Sequence, residues 1–242
     1  METWRLITTW GADPGFNMGL DEALLESPES APTVRFYSWK PDTLSLGYFQ
    51  RFAEVPAAHA AASVVRRITG GGAIHHVREL TFSLVAPAGH AVFQGPVPVS
   101  YARIHAAIAA ALLEIGVEAQ LRGARDLLSD RLGTGMCFHE STPLDLVWAG
   151  RKGVGSAQRR KGGRVLHHGS IKIGPSPLEE GVATATDLAP GTTSETFAPL
   201  LRAAFTRSLG FELEAGVPTA DERARARLLG RRYLEPEFVK RR

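Results

Sequence analysis

Three side-chain patterns in this chain could do chemistry. The first is a run of three glycines, Gly70-Gly71-Gly72, between the basic, β-prone segment Val64-Val65-Arg66-Arg67 and Ala73-Ile74-His75-His76. Glycine buries no side chain and loses the most backbone freedom on ordering. Three together predict a backbone that something approaches closely, or a turn; the alternative is a tight hairpin with spare glycines. The second is Cys137, the only cysteine, in Gly133-Thr134-Gly135-Met136-Cys137-Phe138-His139. A free cysteine can be an inert buried hydrophobe, but the glycines before it predict a loop. A thiol becomes a nucleophile beside a cation, and Lys152, His139 and His168 are the residues that folding would have to bring to it. The third is Gly150-Arg151-Lys152-Gly153 with Gly155-Ser156-Ala157-Gln158. Lys152 is either a hairpin lysine facing solvent or, with only small side chains after it, a cation placed to polarise a carbonyl or hold a phosphate.

Two familiar phosphate loops are excluded. No stretch reads Gly-x4-Gly-Lys-Ser/Thr, and neither the triple glycine nor Gly153/Gly155 has the spacing of a dinucleotide fingerprint. A single cysteine rules out an internal disulfide framework and a cysteine-based zinc site, and no metal is expected.

The elements that must position these residues follow from periodicity. Strands are predicted at Trp4 to Thr8, Thr33 to Trp39, Thr43 to Gly47, Val64 to Arg67, Glu79 to Ala86, Asp145 to Trp148, Gly153 to Gln158 and Val165 to Ile173. The last three are separated by Ala149-Gly150 and Lys161-Gly162-Gly163 and so form consecutive hairpins. Helices are predicted at Phe16 to Leu25, Pro56 to Ala62, Ser100 to Ile115, Ser194 to Leu209 and Ala220 to Leu229. Short turns between most strands predict a largely antiparallel sheet with helices packed on it, an α+β fold. Residues 1–242 read as one domain, with a C-terminal helical part from about 190 to 242.

The chain has 242 residues, 44% of them hydrophobic and 22% charged, ordinary for a globular protein. No apolar run approaches the roughly 18 residues of a membrane span. Met1-Glu2-Thr3-Trp4-Arg5 lacks the pattern of a signal peptide, so a cytoplasmic location is expected. Net charge is only +3 with a pI near 9.2, and the excess sits in clusters: Arg66-Arg67, Arg151-Lys152, Arg159-Arg160-Lys161 and Lys240-Arg241-Arg242. Such clusters suit acidic or phosphate-bearing partners. Nucleic acid is not expected, because aromatic residues do not interleave with them.

Taken in order, these segments resemble the lipoate–protein ligase and octanoyltransferase branch of the biotin/lipoate ligase superfamily. The resemblance is carried by Asn17-Met18 to Leu25, Val34 to Trp39 with Leu44 to Gln50, the triple-glycine loop with Glu79 to Ser83, Cys137-Phe138, Gly150 through Arg160, and His168-Gly169-Ser170-Ile171. They span about residues 4 to 175. Members attach lipoate or octanoate to one lysine of a lipoyl domain or of the glycine-cleavage H protein. The transferases take octanoyl from acyl carrier protein through a cysteine thioester and use no cofactor; the ligases activate free lipoate with ATP and magnesium. The resemblance places the transferase nucleophile at Cys137, where ligases carry an Arg-Asn-Asp type segment.

It further implies Lys152 as the second catalytic residue, stabilising the oxyanion and helping the acceptor lysine lose its proton. The substrate-binding set is Arg66, Arg67, Gly70, Gly71, Gly72, Ala73, His75, Gly155, Ser156, Ala157 and His168, the last as a pocket liner rather than a base. Two departures stand out: His76 where the family usually has aspartate, and Ser141-Thr142-Pro143-Leu144 where it has Pro-Ser-x-Tyr. Two other readings remain: an ATP-dependent ligase with Cys137 incidental, and a non-catalytic module that binds an acyl group or a lipoyl domain.

Overall fold

The computed structural model describes residues 2–241; Met1 and Arg242, the ends of the N-terminal segment and of the basic tail considered above, lie outside them. The chain opens with β1 (Glu2–Ala12) and α1 (Pro14–Glu26), whose first turn is capped by the Asp13 side chain accepting from Phe16 N. Then come β2 (Thr33–Trp39), β3 (Thr43–Leu46), the one-turn α2 (Ala57–Ala60), β4 (Ser63–Arg66), β5 (Ile74–His76) and β6 (Glu79–Pro87). The helix α3 (Val97–Leu113) leads to β7 (Gln120–Leu121), and after a long loop to β8 (Leu146–Trp148), β9 (Arg151–Lys161) and β10 (Arg164–Lys172). The chain ends in α4 (Ser194–Leu209), β11 (Phe211–Gly216), α5 (Ala220–Leu234) and α6 (Pro236–Val239).

The larger sheet runs β11-β1-β2-β6-β10-β9-β8-β7, and the smaller runs β4-β3-β5. In the larger sheet only the β11–β1 and β1–β2 pairings are parallel, and the expected β8-β9-β10 hairpins are present. The α+β reading with a largely antiparallel sheet therefore holds.

Several boundaries differ for physical reasons. The C-terminal part is not wholly helical: Gly210 at φ 78° reverses the chain after α4, and Phe211–Gly216, burying alternate residues, adds β11 at the sheet edge. The alanine-rich segment from Pro56 makes only one helical turn. The helix α3 starts three residues early, because Pro98 lies in a first turn that needs no N–H.

Strand alternation divides the large sheet into two unlike faces. On one, Val34, Phe36, Leu80, Phe82 and Leu84 pack against Ile104, Ile108, Leu201 and Phe205 of α3 and α4 in the main core. On the other, Leu20, Leu24 and Leu25 of α1 pack on Val85 and Leu166. This second face also carries Arg35, Tyr37, Thr81, Ser83 and His168, all buried. Buried polar groups need partners, and theirs lie on this face. Asp21 of α1 accepts from Arg35 (2.5 Å), Ser83 (2.8 Å) and Tyr37 (2.9 Å). Burial alone would raise the Asp21 pKa, but Arg35 and the hydrogen bonds hold it down at about 2.

Candidate active site

The Cys137 loop reaches its position through backbone pairing with the glycine run. Ala73 N donates to Gly135 O at 2.8 Å, and Cys137 N donates to Ala73 O at 2.7 Å. A Cβ at Gly72 would lie 2.7 Å from Cys137 N and 2.8 Å from its Cα, so only glycine admits this approach. That is the close contact the triple glycine predicts, and its object is the cysteine backbone. The bonded Cys137 N–H is consequently not free to act as an oxyanion donor.

From the opposite side, β9 brings Lys152. Its Nζ is 3.4 Å from Cys137 Sγ, 2.7 Å from Cys137 O and 2.8 Å from Asp145 Oδ2. Lys152 is buried, and the burial alone would lower its pKa; the Cys137 thiolate and the Asp145 carboxylate outweigh this and raise it above 10.5. The lysine is thus an ammonium at neutral pH, a counter-charge beside the sulfur. Gly155 makes room for the pair: a Cβ there would stand 3.0 Å from Lys152 Cε and 3.3 Å from Cys137 Sγ. Phe138 lies beneath, its ring centroid 5.3 Å from Lys152 Nζ and 4.7 Å from Lys172 Nζ.

Cys137 opens onto a small, largely apolar cavity. Met18, Tyr37, Trp39, Ile74 and Ala157 supply apolar wall, and Arg67, Gly70, Gly71, Ser156 and His168 also line it. The predicted residues thus divide. Arg67, Gly70, Gly71, Ser156, Ala157 and His168 surround the cavity with Cys137; Lys152, Gly72, Ala73 and Gly155 frame Cys137 from outside it.

Arg66 and His75 are not brought to the site, and both misplacements come from strand alternation. The buried Arg66 guanidinium donates to Gly47 O (2.9 Å), Gln50 O (2.7 Å) and Val239 O (3.0 Å), which ties the C-terminal helix to the small sheet. His75 points off the cavity face and pairs with Ser176 Oγ at 2.9 Å. Its neighbour His76 lines the cavity with Ile74, stacked on Trp39 at 4.1 Å and bonded to Ser45 Oγ (2.6 Å) and Glu79 Oε1 (2.5 Å). Burial holds His76 down to about 4 despite Glu79. The two other imidazoles considered for Cys137 are engaged elsewhere. His168 bonds Thr69 Oγ1 (2.7 Å) and Asp21 Oδ2 (3.2 Å), and His139 bonds Thr134 Oγ1 (3.2 Å) and Glu180 O (2.9 Å).

Two contributors escape a reading by residue type. Asp145, buried, accepts from Thr142 N at 2.6 Å, so Ser141-Thr142-Pro143-Leu144 forms the turn that aims its carboxylate at Lys152. The hairpin register, Val147 opposite Lys152, is the signal that could have found it. His105 on α3 bonds Ser156 Oγ (2.7 Å) and Leu144 O (2.6 Å) and fixes both the cavity wall and that turn. Among the described residues no His/Cys/Asp/Glu cluster could hold a metal ion.

With this geometry in hand, comparison with known proteins is informative. The lipoyl protein ligase A/B catalytic domain matches residues 13–186. The chain belongs to that family. An octanoyltransferase LipM of Moorella thermoacetica is 42% identical over 71% of this chain and 66% of its own length. Another, from Kyrpidia tusciae, is 34% identical over 98% of both chains. The bi-partite lipoate protein ligase of Thermoplasma acidophilum, solved in work that includes its E2 lipoyl domain, superposes with a TM-score of 0.78 at 21% identity, covering 99% of this chain and 96% of that one. At that identity the likeness shows the shared fold.

Proposed function

We propose that this family member is an acyltransferase of lipoate biosynthesis, moving octanoyl from acyl carrier protein to a lysine of a lipoyl domain or of the glycine-cleavage H protein, with residues 1–242 acting as one catalytic unit. The observation that carries the reading is the buried Lys152 ammonium 3.4 Å from the sulfur of Cys137, beside a largely apolar cavity. The LipM relatives are named octanoyltransferases. No nucleotide is required, because the donor thioester is already activated.

The steps balance through one proton. The pair reacts as thiolate and ammonium. The Cys137 sulfur attacks the thioester carbonyl, the Lys152 ammonium faces the oxyanion, and the carrier thiolate departs with the Lys152 proton. Acylation removes the sulfur's charge, one of the two that raise the Lys152 pKa, so the lysine gives up its proton more readily in the acyl-enzyme. The neutral acceptor amine then attacks the acyl-enzyme; Lys152 takes its proton as the C–N bond forms and the C–S bond breaks. Amide and the thiolate–ammonium pair result.

Intact mass spectrometry after mixing the protein with octanoyl-acyl carrier protein, without ATP, tests this. A hydroxylamine-sensitive octanoyl adduct that is absent from Cys137→Ala is expected. Acylation of a lipoyl domain that needs ATP and free lipoate, and survives Cys137→Ala, would make the protein a ligase.

A further inference from the structure

The strand that carries Lys152 also leads to a second cleft. Alternate residues of β9 share a face. Gly155 lies against Cys137 Sγ, Ala157 lines the acyl cavity, and Arg159 and Lys161 line the second cleft. Gly155 to Arg159 is about 13 Å along an extended strand. The opposite wall is continuous as well, with Ile68 in the cleft and Gly70 and Gly71, two and three residues on, in the cavity.

Four cations, Arg159, Lys161, Arg232 and Arg241, line this cleft, against the single carboxylate of Glu22. Two of them are neutralised locally: Lys161 by Glu26 at 2.6 Å and Arg232 by Glu22 at 2.7 Å. Arg159 and Arg241 have no carboxylate partner among the described residues. Both guanidinium groups lie over the Tyr48 ring, 5.7 and 3.8 Å from its centroid, and Arg241 Nη2 donates to Tyr48 O at 3.1 Å. An arginine stacked on an aromatic ring is held in place while its remaining N–H groups stay available, and the planar fork matches phosphate oxygens. Arg160, on the other face of β9, is taken up by Phe93 O at 3.2 Å and does not contribute.

We propose that this cleft binds the phosphate at the root of the acyl donor's pantetheine arm, with Arg159 and Arg241 as its ligands. The inference rests on the thioester-transfer reading above. A donor that carries phosphate and thioester at two ends of one flexible arm needs an anion site at a set distance from the nucleophile, along a continuous wall. The cleft lies about 13 Å along β9 from Gly155 and shares its wall with the acyl cavity. The phosphate then anchors the arm, which passes Ala157 and delivers the thioester to Cys137.

Two small donors that differ only in the phosphate, octanoyl-pantetheine and octanoyl-phosphopantetheine, separate this site from any contact with a carrier protein. The readout is kcat/KM for acylation of Cys137, followed by intact mass. Wild-type protein should prefer the phosphorylated donor by about tenfold or more, the effect of one good charge-assisted contact. The preference should shrink with added salt. In Arg159→Gln/Arg241→Gln the ratio should collapse toward unity, and Arg159→Lys with Arg241 intact should retain part of it. The ratio is internal to each variant, so partial loss of folded protein does not obscure it. Equal use of the two donors by the wild type, or a preference that survives the double substitution, overturns the assignment. Acylation by octanoyl-acyl carrier protein with neither small donor used overturns the cleft alone. No acylation from any of the three removes the transfer reading and this inference with it.

Discussion

Replacing Asp145 with asparagine probes the arrangement at its least exposed contact. The carboxylate sits 2.8 Å from Lys152 Nζ, with side chains 5% and 1% exposed. At an effective dielectric of about 20, unit charges at that separation attract by about 6 kcal/mol. Desolvation cancels part of this, and removing one partner of a buried pair costs about 3–5 kcal/mol. The asparagine oxygen can still accept from Nζ, so Asp145→Asn should lie near the low end, about 3 kcal/mol by urea denaturation. The lysine then keeps its burial but loses one of two counter-charges, so its pKa falls. In the wild type the raised value makes Lys152's contribution complete below about pH 10 and lost as pH climbs through the native pKa. In the variant the alkaline limb of the acylation rate should move to lower pH. The kcat should drop on the order of a hundredfold, as for losing one oxyanion donor, with KM for the donor little changed. Asp145→Glu should restore part of the rate. A variant with wild-type kcat and an unmoved alkaline limb would refute the claim that Asp145 holds Lys152 charged and in place.

Gly72→Ala and Gly155→Ala should behave differently: the first drives a Cβ to 2.7 Å from rigid backbone, the second to 3.0 Å from a lysine methylene. We expect Gly72→Ala to lower the melting temperature and abolish acylation, and Gly155→Ala to slow acylation with a small stability loss, read by calorimetry and intact mass. Burial pushes His105 from 6.5 down to about 4, with only partial relief from Leu144 O. Its neutral form stabilises the fold above pH 6.5, and that contribution, about 3 kcal/mol, is lost between pH 6.5 and 4 as the unfolded chain takes up the proton. Chemical denaturation across that range should show the slope, and a flat profile would contradict it. Arg66→Met should lower stability by several kcal/mol, because it orphans buried carbonyls at both ends of the clamp. Its effect on KM for the octanoyl donor should be small, since Arg66 does not line the cavity.

Much of the architecture was legible because it rests on local periodicity. The alternation from Thr33 to Trp39 and from Glu79 to Ala86 marks strands, and glycine pairs at 149–150 and 162–163 mark the turns between them. Residue type and spacing marked Cys137, Lys152 and the triple glycine as candidates with inert alternatives left open, and the family resemblance gave them roles. Which of two neighbours faces the site was another matter. Arg67 rather than Arg66, and His76 rather than His75, line the cavity, because a one-residue change of register exchanges the faces of a strand and composition is blind to it. Asp145 and His105 were missed for a related reason. An isolated acid at a strand start and a histidine inside a helix carry no local mark of their partners, which come from the hairpin register and from α3 crossing the sheet. Local propensity, set by each residue and its near neighbours, let the sequence alone determine most of the strands and the two hairpins of the large sheet, though not β5, β7 or β11. The 3.4 Å approach of Lys152 to Cys137, and the carboxylate that keeps it charged, were decided only by tertiary structure, because they join a glycine-bordered loop and two strands through contacts that no local pattern encodes.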